Sequence, residues 1–338
     1  MKSTYLTDLL DQPAAFQTTL QSLKTITALI GLFLKDDRYK QVVLTGMGSS
    51  YHALYPLELR LIAARINVIR LETSELIHYC PTLFELDNLM IVVSQSGQSA
   101  EVVQLLKSVG YKANIVGITN TPGSILAEQA GIPILLQAGN ETSVSCKTYL
   151  SSLAALTWLG DELIGDQSQF STLAGLPDMV KNFWCQWEKH LPHLSQQLEG
   201  IGQIFLLGRG PSLAAAHTGA LSIKEAARFA AEGMSCAAFR HGPLECVSPQ
   251  TLVVIFRGME STADLNIRLA EDVRSEGGKV LLVGKGSNIA PFALPACPPA
   301  CLPILEILPV QLLSLALAEK QGIEAGHFLH TSKVTVSE

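Results

Sequence analysis

The sequence predicts an α/β protein that contains two doubly wound parallel sheets in tandem. Short runs rich in Val, Ile and Leu alternate with helical segments along the 338 residues, which is typical of parallel sheets covered by helices. The pattern occurs twice, so an internal duplication is the simplest account. A hydrophobic content of 48% against a charged content of 16% agrees with a large amount of buried sheet.

Four strand pairs in the same order carry the predicted duplication. In the first half they are QVVLTG (41–46), MIVV (90–93), NIVGITN (114–120) and IPILLQAG (132–139). Their counterparts in the second half are QIFLLG (203–208), LVVIF (252–256), KVLLVGKG (279–286) and CLPILEIL (301–308). A predicted helix follows each set, near 148–165 and near 309–321.

Helices are also predicted outside the repeats. Residues 13–35 have apolar positions at helical spacing, and 166–200 is a helical connector that carries Trp184 and Trp187. The chain is therefore divided by prediction into five parts. They are an amino-terminal helical segment (1–38), a first repeat (39–165), the connector (166–200), a second repeat (201–325) and a carboxyl-terminal tail (326–338).

Composition and charge exclude several classes of function. A net charge of -6 gives no basic surface for nucleic acid. The seven cysteines have no CxxC spacing, which argues against a disulfide framework or a zinc site and favours reduced core thiols. The amino terminus lacks the apolar run of a signal peptide, and the longest apolar stretch, at 302–320, is interrupted by Glu306, Pro309 and Gln311. We expect a cytoplasmic protein with no membrane segment.

The first candidate site is the G-x-G turn 46–48, where a strand is followed by a helix. Free backbone N–H groups at such a turn favour a phosphate, and Ser49 and Ser50 add hydroxyl donors. A dinucleotide site is the rival interpretation, because Glu72 lies at about the distance of a ribose-binding acid. Tyr51 replaces the third glycine of that motif, and a turn with a structural role alone is equally compatible with the sequence.

A second loop, SQSGQS (94–99), is more informative. It follows a fully apolar strand and offers four short polar side chains at the carboxyl end of the sheet: Ser94, Gln95, Ser96 and Ser99. The alternative is a serine-rich turn with a structural role. Two polar loops at adjacent strand ends would be redundant for structure alone, so the pattern predicts an oxyanion site.

Several motifs together resemble one enzyme family. GMGSSYHA (46–53), TSE (73–75), SQSGQSAE (94–101), ITNTPGS (118–124), AGNETSVSCKTY (138–149), GALSIKEA (219–226), FRHGPLE (239–245) and SKVTVSE (332–338) occur in the order found in the isomerase domain of glucosamine-6-phosphate synthase, at similar spacing. The resemblance covers nearly everything after residue 40. It implies that the two repeats are sugar-isomerase (SIS) domains and that the protein is a phosphosugar isomerase.

The resemblance also implies roles for individual residues. Glu225 corresponds to the base that moves a proton between C1 and C2, and His241 to a ring-opening histidine that enters from the neighbouring subunit. Lys333 corresponds to the tail lysine that meets the substrate's carbonyl carbon. The positions implied to contact the sugar phosphate are Gly48, Ser50, Ser94, Gln95, Ser96 and Ser99, with Ser145 contacting the sugar.

The chemistry calls for these residue types independently. An aldose–ketose shift needs a carboxylate that carries a proton between neighbouring carbons and a group that titrates near neutrality to open the ring. Taken alone, Glu225 could be an exposed helix acid paired with Arg228, His241 an incidental loop histidine, and Lys333 a charge on a disordered tail. The motif context favours the catalytic reading.

Two departures from the family shape the expected reaction. Ser222 and Thr218 stand where the synthase has a lysine and a glutamate, so the substrate site is altered near the sugar. No glutaminase domain is recognised, and the first 79 residues contain no cysteine nucleophile. We therefore expect the reverse reaction: glucosamine 6-phosphate and water give fructose 6-phosphate and ammonia, without metal or cofactor, in a homodimer with shared sites.

Three alternatives remain open from the sequence. A deglycase acting on a fructose-amine 6-phosphate would use the same phosphate loops and a similar base. A plain aldose–ketose isomerase of phosphosugars would keep the amine or lack one. A non-catalytic phosphosugar sensor would bind without turnover.

Overall fold

The computed structural model describes residues 3–34, 39–84, 87–109, 114–330 and 332–335, with side chains throughout except at 27–34. The chain forms two compact units. The first-repeat unit comprises Gln12–Glu141, Ser145–Ala174 and Leu329–Glu338. The second-repeat unit comprises Met1–Asp11, Thr142–Val144 and Gly175–Phe328. Each unit contains one parallel sheet, as the sequence predicts.

The sheet of the first-repeat unit has the order β2-β1-β3-β4-β5, and all of its pairings are parallel. Its strands are β1 (Gln41–Gly46), β2 (Val68–Glu72), β3 (Asn88–Val93), β4 (Ile115–Thr119) and β5 (Ile132–Leu135). All six residues of the central strand β3 are buried, which explains why its sequence is apolar without alternation.

Helices cover this sheet. The helices up to residue 171 are α1 (Thr4–Leu34), α2 (Gly48–Ala53), α3 (Tyr55–Ala63), α4 (Thr73–Tyr79), α5 (Ala100–Ser108), α6 (Ile125–Gln129), α7 (Lys147–Ile164) and α8 (Ser168–Ser171). One core cluster packs Leu76 of α4, Leu105 of α5 and Leu126 of α6 against Val43 and Val92 of the sheet. The helix predicted near 148–165 is confirmed as α7.

The helix α1 begins at Thr4, nine residues before the predicted start at 13. Pro13 lies inside it, although an interior proline costs a helix a hydrogen bond. The apolar side chains of Tyr5 and Leu9 before the proline are fully buried, and so is Phe16 after it. Their burial on both sides of Pro13 offsets that cost. Residue 35, the predicted end, lies outside the described residues.

The sheet of the second-repeat unit has the order β7-β6-β8-β9, again all parallel. Its strands are β6 (Gln203–Gly208), β7 (Ala231–Ser235), β8 (Thr251–Phe256) and β9 (Lys279–Val283). The helices from residue 176 onward are α9 (Leu176–Trp184), α10 (Trp187–Gln197), α11 (Ser212–Ala227), α12 (Cys236–Arg240), α13 (Glu260–Ser275) and α14 (Leu302–Lys320). The order matches that of β2-β1-β3-β4, which supports the duplication.

The fourth strand predicted for the second repeat is wrong. Residues 302–308 of CLPILEIL begin the helix α14, and Pro303 lies in its first turn, where a missing N–H costs nothing. Because α14 is buried on every face, its apolar residues show no helical periodicity, and a short window of it cannot be told from a buried strand. The apolar run continues well beyond residue 308, and a run longer than about eight residues favours a helix over a strand.

The same helix has the length and composition of a membrane span but the burial of a core helix. Residues Pro299–Lys320 are long and apolar enough to cross a bilayer by length and composition, with a mean hydropathy of 1.9. Within the described residues, 94% of the most apolar window is buried inside the structure, so the segment is a core helix.

The cysteines are only partly core residues. All seven lie in the described residues and none forms a disulfide, and Cys146, Cys236 and Cys301 are buried. Cys185 and Cys246 are exposed, which corrects the prediction of core thiols at these two positions.

Candidate active site

The candidate site of the first-repeat unit lies at the carboxyl edge of its sheet, between β1 and β3. The chain goes from β1 to β2 on one side and returns to β3 on the other, so this is the point where the strand order reverses and where open α/β sheets bind ligands. The register pairs Gly46 with Val93. The two candidate loops therefore start side by side, as expected from the sequence.

The turn after β1 places three of the predicted residues together. Gly48 has a φ of +52°, a conformation that favours glycine, and it begins the short helix α2 with Ser49 and Ser50. All three are partly exposed. Their position beside the serine loop is compatible with a shared ligand, and their binding role stays a prediction.

The hydroxyl groups of Ser94 and Ser96 are oriented by the backbone of their own loop. Ser94 Oγ accepts a hydrogen bond from the N–H of Gly97 at 3.1 Å, and Ser96 Oγ accepts one from the N–H of Gln98 at 3.3 Å. A hydroxyl that accepts in this way still has its proton to donate. The loop can therefore present donors to an anion.

The loop is held by residues at the end of β4. The carbonyl oxygen of Gln95 accepts hydrogen bonds from Thr119 Oγ1 at 3.2 Å and from the N–H of Asn120 at 3.0 Å. Gly97 has a φ of +63°, and a Cβ there would lie 2.2 Å from Ser124 Oγ. The glycine is thus required by both conformation and space, and the loop has little freedom to rearrange.

Ser99 ends the loop as the N-cap residue of α5, but its side chain makes no capping hydrogen bond. Its hydroxyl is half-buried. A phosphate oxygen near this helix end would find an uncommitted hydroxyl and a favourable helix dipole.

Ser145 and Lys333 are joined through two residues that sequence reasoning missed. Lys333 Nζ forms an ion pair with Glu141 Oε2 at 2.8 Å. Thr148 Oγ1 donates to the same oxygen at 2.6 Å and lies 3.1 Å from Ser145 Oγ. Glu141 and Thr148 lie in the AGNETSVSCKTY motif (138–149), before α7 and in its first turn respectively, and their membership of that motif was the only sequence signal that pointed to them.

The carboxyl-terminal tail is ordered at the residues the structure describes, 332–335. The N–H of Ala100 donates to the carbonyl oxygen of Thr335 at 3.0 Å, so the tail is attached at the first residue of α5. The alternative of a disordered tail is therefore not supported at Lys333. Residues 331 and 336–338 lie outside the described residues.

In the second-repeat unit, Ser222 and Glu225 lie one turn apart on α11. Ser222 is buried, as is Thr218, and Glu225 is half-buried. The guanidinium of Arg228, the alternative partner of Glu225, donates to the carbonyl oxygen of His327 at 3.0 Å. The base role of Glu225 stays a prediction.

His241 lies on a different element of the same unit. It is exposed directly after α12 and precedes Gly242, whose φ of +141° marks a sharp break in the chain. An exposed histidine is compatible with the predicted contribution to a neighbouring subunit, which stays a prediction.

The second-repeat unit also has a cavity of about 320 Å³ at the ends of β8 and β9 that the sequence did not reveal. Arg257, Lys285 and Glu306 are among its lining residues. Burial raises the pKa of Glu306 to about 8, against the opposing effect of a hydrogen bond from Ser212 Oγ at 3.0 Å. The buried carboxyl is therefore mostly protonated at neutral pH.

Comparison with known proteins relates the chain to sugar-phosphate enzymes. It is 31% identical to "Glutamine--fructose-6-phosphate aminotransferase [isomerizing]" of Pyrococcus horikoshii over 331 residues, which cover 94% of this chain and 55% of the relative. The chain spans about half the length of the curated relatives it matches.

Solved structures of similar fold cover nearly the whole chain. The C-terminal domain of glucosamine-fructose-6-phosphate aminotransferase from Francisella tularensis matches with a TM-score of 0.80 at 22% identity, covering 96% of this chain and 98% of that one. A glucosamine-6-phosphate deaminase from Thermotoga maritima matches with a TM-score of 0.77 at 20% identity, covering 99% and 100%. At these identities the likeness shows the fold.

The family model of the SIS domain matches residues 38–160 and again residues 197–318. The two copies together cover more than half of the chain and coincide with its two parallel sheets. The protein therefore belongs to the SIS domain family.

Proposed function

We propose that this chain is a glucosamine-6-phosphate deaminase that converts glucosamine 6-phosphate and water to fructose 6-phosphate and ammonia. The proposal rests on two features that occur in the same unit. One is the hydroxyl-rich loop 94–99, which lies where the strand order reverses, and the other is Lys333, which is bound to the buried carboxylate of Glu141. Such a loop suits a sugar phosphate and the lysine suits a carbonyl group. The deaminase from Thermotoga maritima, whose fold matches over the full length, adds support.

The proposed reaction starts with binding and ring opening. The phosphate binds at Ser94, Ser96 and Ser99, and His241 of a neighbouring subunit assists opening of the ring to the free aldehyde. Lys333 lies against the carbonyl group, where its ammonium polarises the C1 oxygen.

Proton transfer by Glu225 then moves the double bond. The carboxylate takes the proton from C2 while the Lys333 ammonium gives a proton to the C1 oxygen, which yields an enolamine. The carboxyl group then returns its proton to C1 while the amine nitrogen gives a proton back to the lysine, which yields a ketimine at C2. Water adds to the ketimine carbon, the carbon–nitrogen bond breaks, and ammonia leaves with fructose 6-phosphate. Every step is a proton transfer or a hydrolysis, so the atoms and charges balance without an external oxidant or reductant.

We also propose that the protein works in the cytoplasm as a homodimer with shared sites. The support for shared sites is the exposed position of His241, which leaves its imidazole accessible to a second chain. The domain limits predicted from the sequence belong to the same proposal.

Ammonia release from a panel of substrates tests the activity. The panel contains glucosamine 6-phosphate, its unphosphorylated form, a fructose-amine 6-phosphate and an amine-free aldose 6-phosphate. We expect ammonia from the first compound only, and about 100-fold or greater loss in Glu225→Gln, because that is the usual contribution of a general base. The exposed Glu276→Gln is the matched control and should keep wild-type activity.

Each other pattern of results contradicts the proposal and names its replacement. Amine release from the fructose-amine compound alone indicates a deglycase. Aldose–ketose conversion without ammonia indicates a plain isomerase, and binding without turnover indicates a sensor. If Glu225→Gln keeps activity within a few-fold of the wild type, the base is another residue.

A further inference from the structure

The two oxygens of the Glu141 carboxylate have different partners. Oε1 accepts hydrogen bonds from the backbone N–H groups of Cys146 at 2.9 Å and Thr148 at 3.1 Å, which satisfies donors at the start of α7. Oε2 accepts from Thr148 Oγ1 and from Lys333 Nζ. One oxygen therefore caps a helix, and the other binds side chains.

Charge makes the contact with Lys333 strong. The side chain of Glu141 is fully buried and that of Lys333 is 18% exposed, so the two charges face each other in a region with little water. Burial by itself would raise the pKa of Glu141. The charge of Lys333 and the hydrogen bonds from Lys333, Thr148 and the Cys146 backbone outweigh burial and lower this pKa below its ordinary value. Glu141 is thus ionised at neutral pH and needs a cation.

A second contact fixes the backbone of the tail. The carbonyl oxygen of Thr335 accepts from the N–H of Ala100, the residue that follows Ser99 in the phosphate loop. The side chain of Lys333 is bound to Glu141, and the backbone two residues later, at Thr335, is bound to Ala100. Together these contacts restrict rotation of the lysine side chain and of its backbone. A free lysine has about 2 kcal/mol of rotamer entropy to lose when it is held in one conformation.

We infer that Glu141 is the positioning residue for Lys333: it holds the tail lysine at the carboxyl edge of the first sheet, in the place from which the lysine meets the substrate. The inference rests on the proposed function, in which Lys333 acts on the carbonyl group. Glu141 itself contacts no reacting atom and acts through the lysine.

The substitution Glu141→Gln separates the two tasks of the carboxylate. The amide oxygen of glutamine can still accept from the N–H groups of Cys146 and Thr148, so the start of α7 stays capped. Its NH2 group would then face Lys333 Nζ, and two donors cannot bond to each other. We therefore expect the variant to fold but no longer to bind the ammonium group of Lys333.

Steady-state kinetics with glucosamine 6-phosphate measures the consequence. We expect kcat of Glu141→Gln to fall by about 100-fold with little change in KM, since a small misplacement of a catalytic group can cost this much. In the background of Lys333→Met, the same substitution should lower kcat by no more than about threefold, because residues that act as one unit are not additive. The exposed Glu128→Gln of α6 serves as the matched control.

Trypsin digestion gives a measurement that does not depend on activity. Trypsin cleaves after lysine, and a lysine bound to Glu141 is withheld from its specificity pocket. Mass spectrometry should show release of the residues after Lys333 several-fold faster from Glu141→Gln than from the wild type or from Glu128→Gln. Circular dichroism and the melting temperature check that the variant is folded.

Three results would overturn the inference. The first is a kcat of Glu141→Gln within about threefold of the wild type while that of Lys333→Met is about 100-fold lower or more. The second is a double variant whose kcat falls by the full product of the two single effects. The third is unchanged cleavage after Lys333 in Glu141→Gln. If the wild type releases no ammonia, the proposed function fails, and cleavage after Lys333 alone then decides whether Glu141 holds the tail.

Discussion

The buried carboxyl of Glu306 predicts a stability that falls as the pH rises. Its side chain lies in α14, where Oε1 accepts a hydrogen bond from Ser212 and Oε2 is buried with no partner among the described residues. Burial raises the pKa from 4.5 to about 8 in the folded protein. Below pH 4.5 the group is neutral in both the folded and the unfolded chain. Between 4.5 and about 8 only the unfolded chain gives up the proton, so stability is lost progressively over this interval.

The magnitude follows from the width of that interval. At about 1.36 kcal/mol for each pH unit, ionisation of the unfolded chain between pH 4.5 and 8 removes on the order of 5 kcal/mol of unfolding free energy. Glutamine is neutral at every pH, and its carbonyl can still accept from Ser212. Glu306→Gln should therefore match the wild type near pH 4.5 and exceed it by up to roughly 5 kcal/mol at pH 8.

Urea unfolding followed by circular dichroism at pH 5, 6.5 and 8 measures this difference. Glu319→Gln, an exposed substitution on the same helix, should track the wild type at each pH and serves as the control. The reasoning is refuted if the difference between Glu306→Gln and the wild type stays constant from pH 5 to 8, because Glu306 would then titrate alike in the folded and unfolded chains.

Two further predictions concern the phosphate loop and the shared site. Gly97→Ala should destabilise the protein and raise KM for the phosphosugar more than Gly123→Ala does, because both glycines have positive φ but only at Gly97 would a Cβ meet another atom within 4 Å. Equal effects in melting and kinetic assays would contradict this. Mixing inactive Glu225→Gln with inactive His241→Ala under subunit exchange should restore up to about a quarter of wild-type activity, since a mixed dimer holds one site without either lesion. No recovery after exchange verified by mass-tagged subunits would contradict shared sites.

The sequence predicted the frame of the fold because buried parallel strands are apolar on both faces. The strands β3 and β8 could be located from composition alone, since all of their residues are buried. The same signal misled at 302–308, because a helix buried on all faces is equally apolar over a short window. The local pattern of apolar residues thus identifies a buried segment more reliably than it distinguishes a strand from a helix.

The candidate site was predictable only where its residues are close in the sequence. The loops after β1 and β3 were found because polar side chains follow directly on apolar strands, and parallel strands end at the same edge. Glu141 and Lys333 are 192 positions apart, and nothing in either local sequence indicates that the two charges meet. The acid was overlooked because an acidic residue in a polar loop is normally solvated, and only tertiary structure shows that it is buried.

The two repeats share a sheet topology but differ in the hydrogen bonds of their loops, and this difference favours the proposed phosphate site in the first repeat. In the first repeat, the loop hydroxyls of Ser94 and Ser96 accept from backbone N–H groups and keep their protons for a ligand. In the second repeat, the corresponding loop has Arg257, whose guanidinium is bound by both carboxylate oxygens of Glu260 at 2.9 and 2.7 Å.

The hydroxyl of Ser212, which corresponds to Ser50, donates to Glu306. Arg257 and Ser212, which are a positive charge and a hydroxyl donor at the corresponding loops of the second repeat, are therefore already bound to carboxyl groups of the protein. A phosphate would have to displace an internal partner to bind there, whereas in the first repeat it meets donors that are oriented and uncommitted. The proposed phosphate site of the first repeat thus differs from the second repeat at a few loop positions within a common sheet topology.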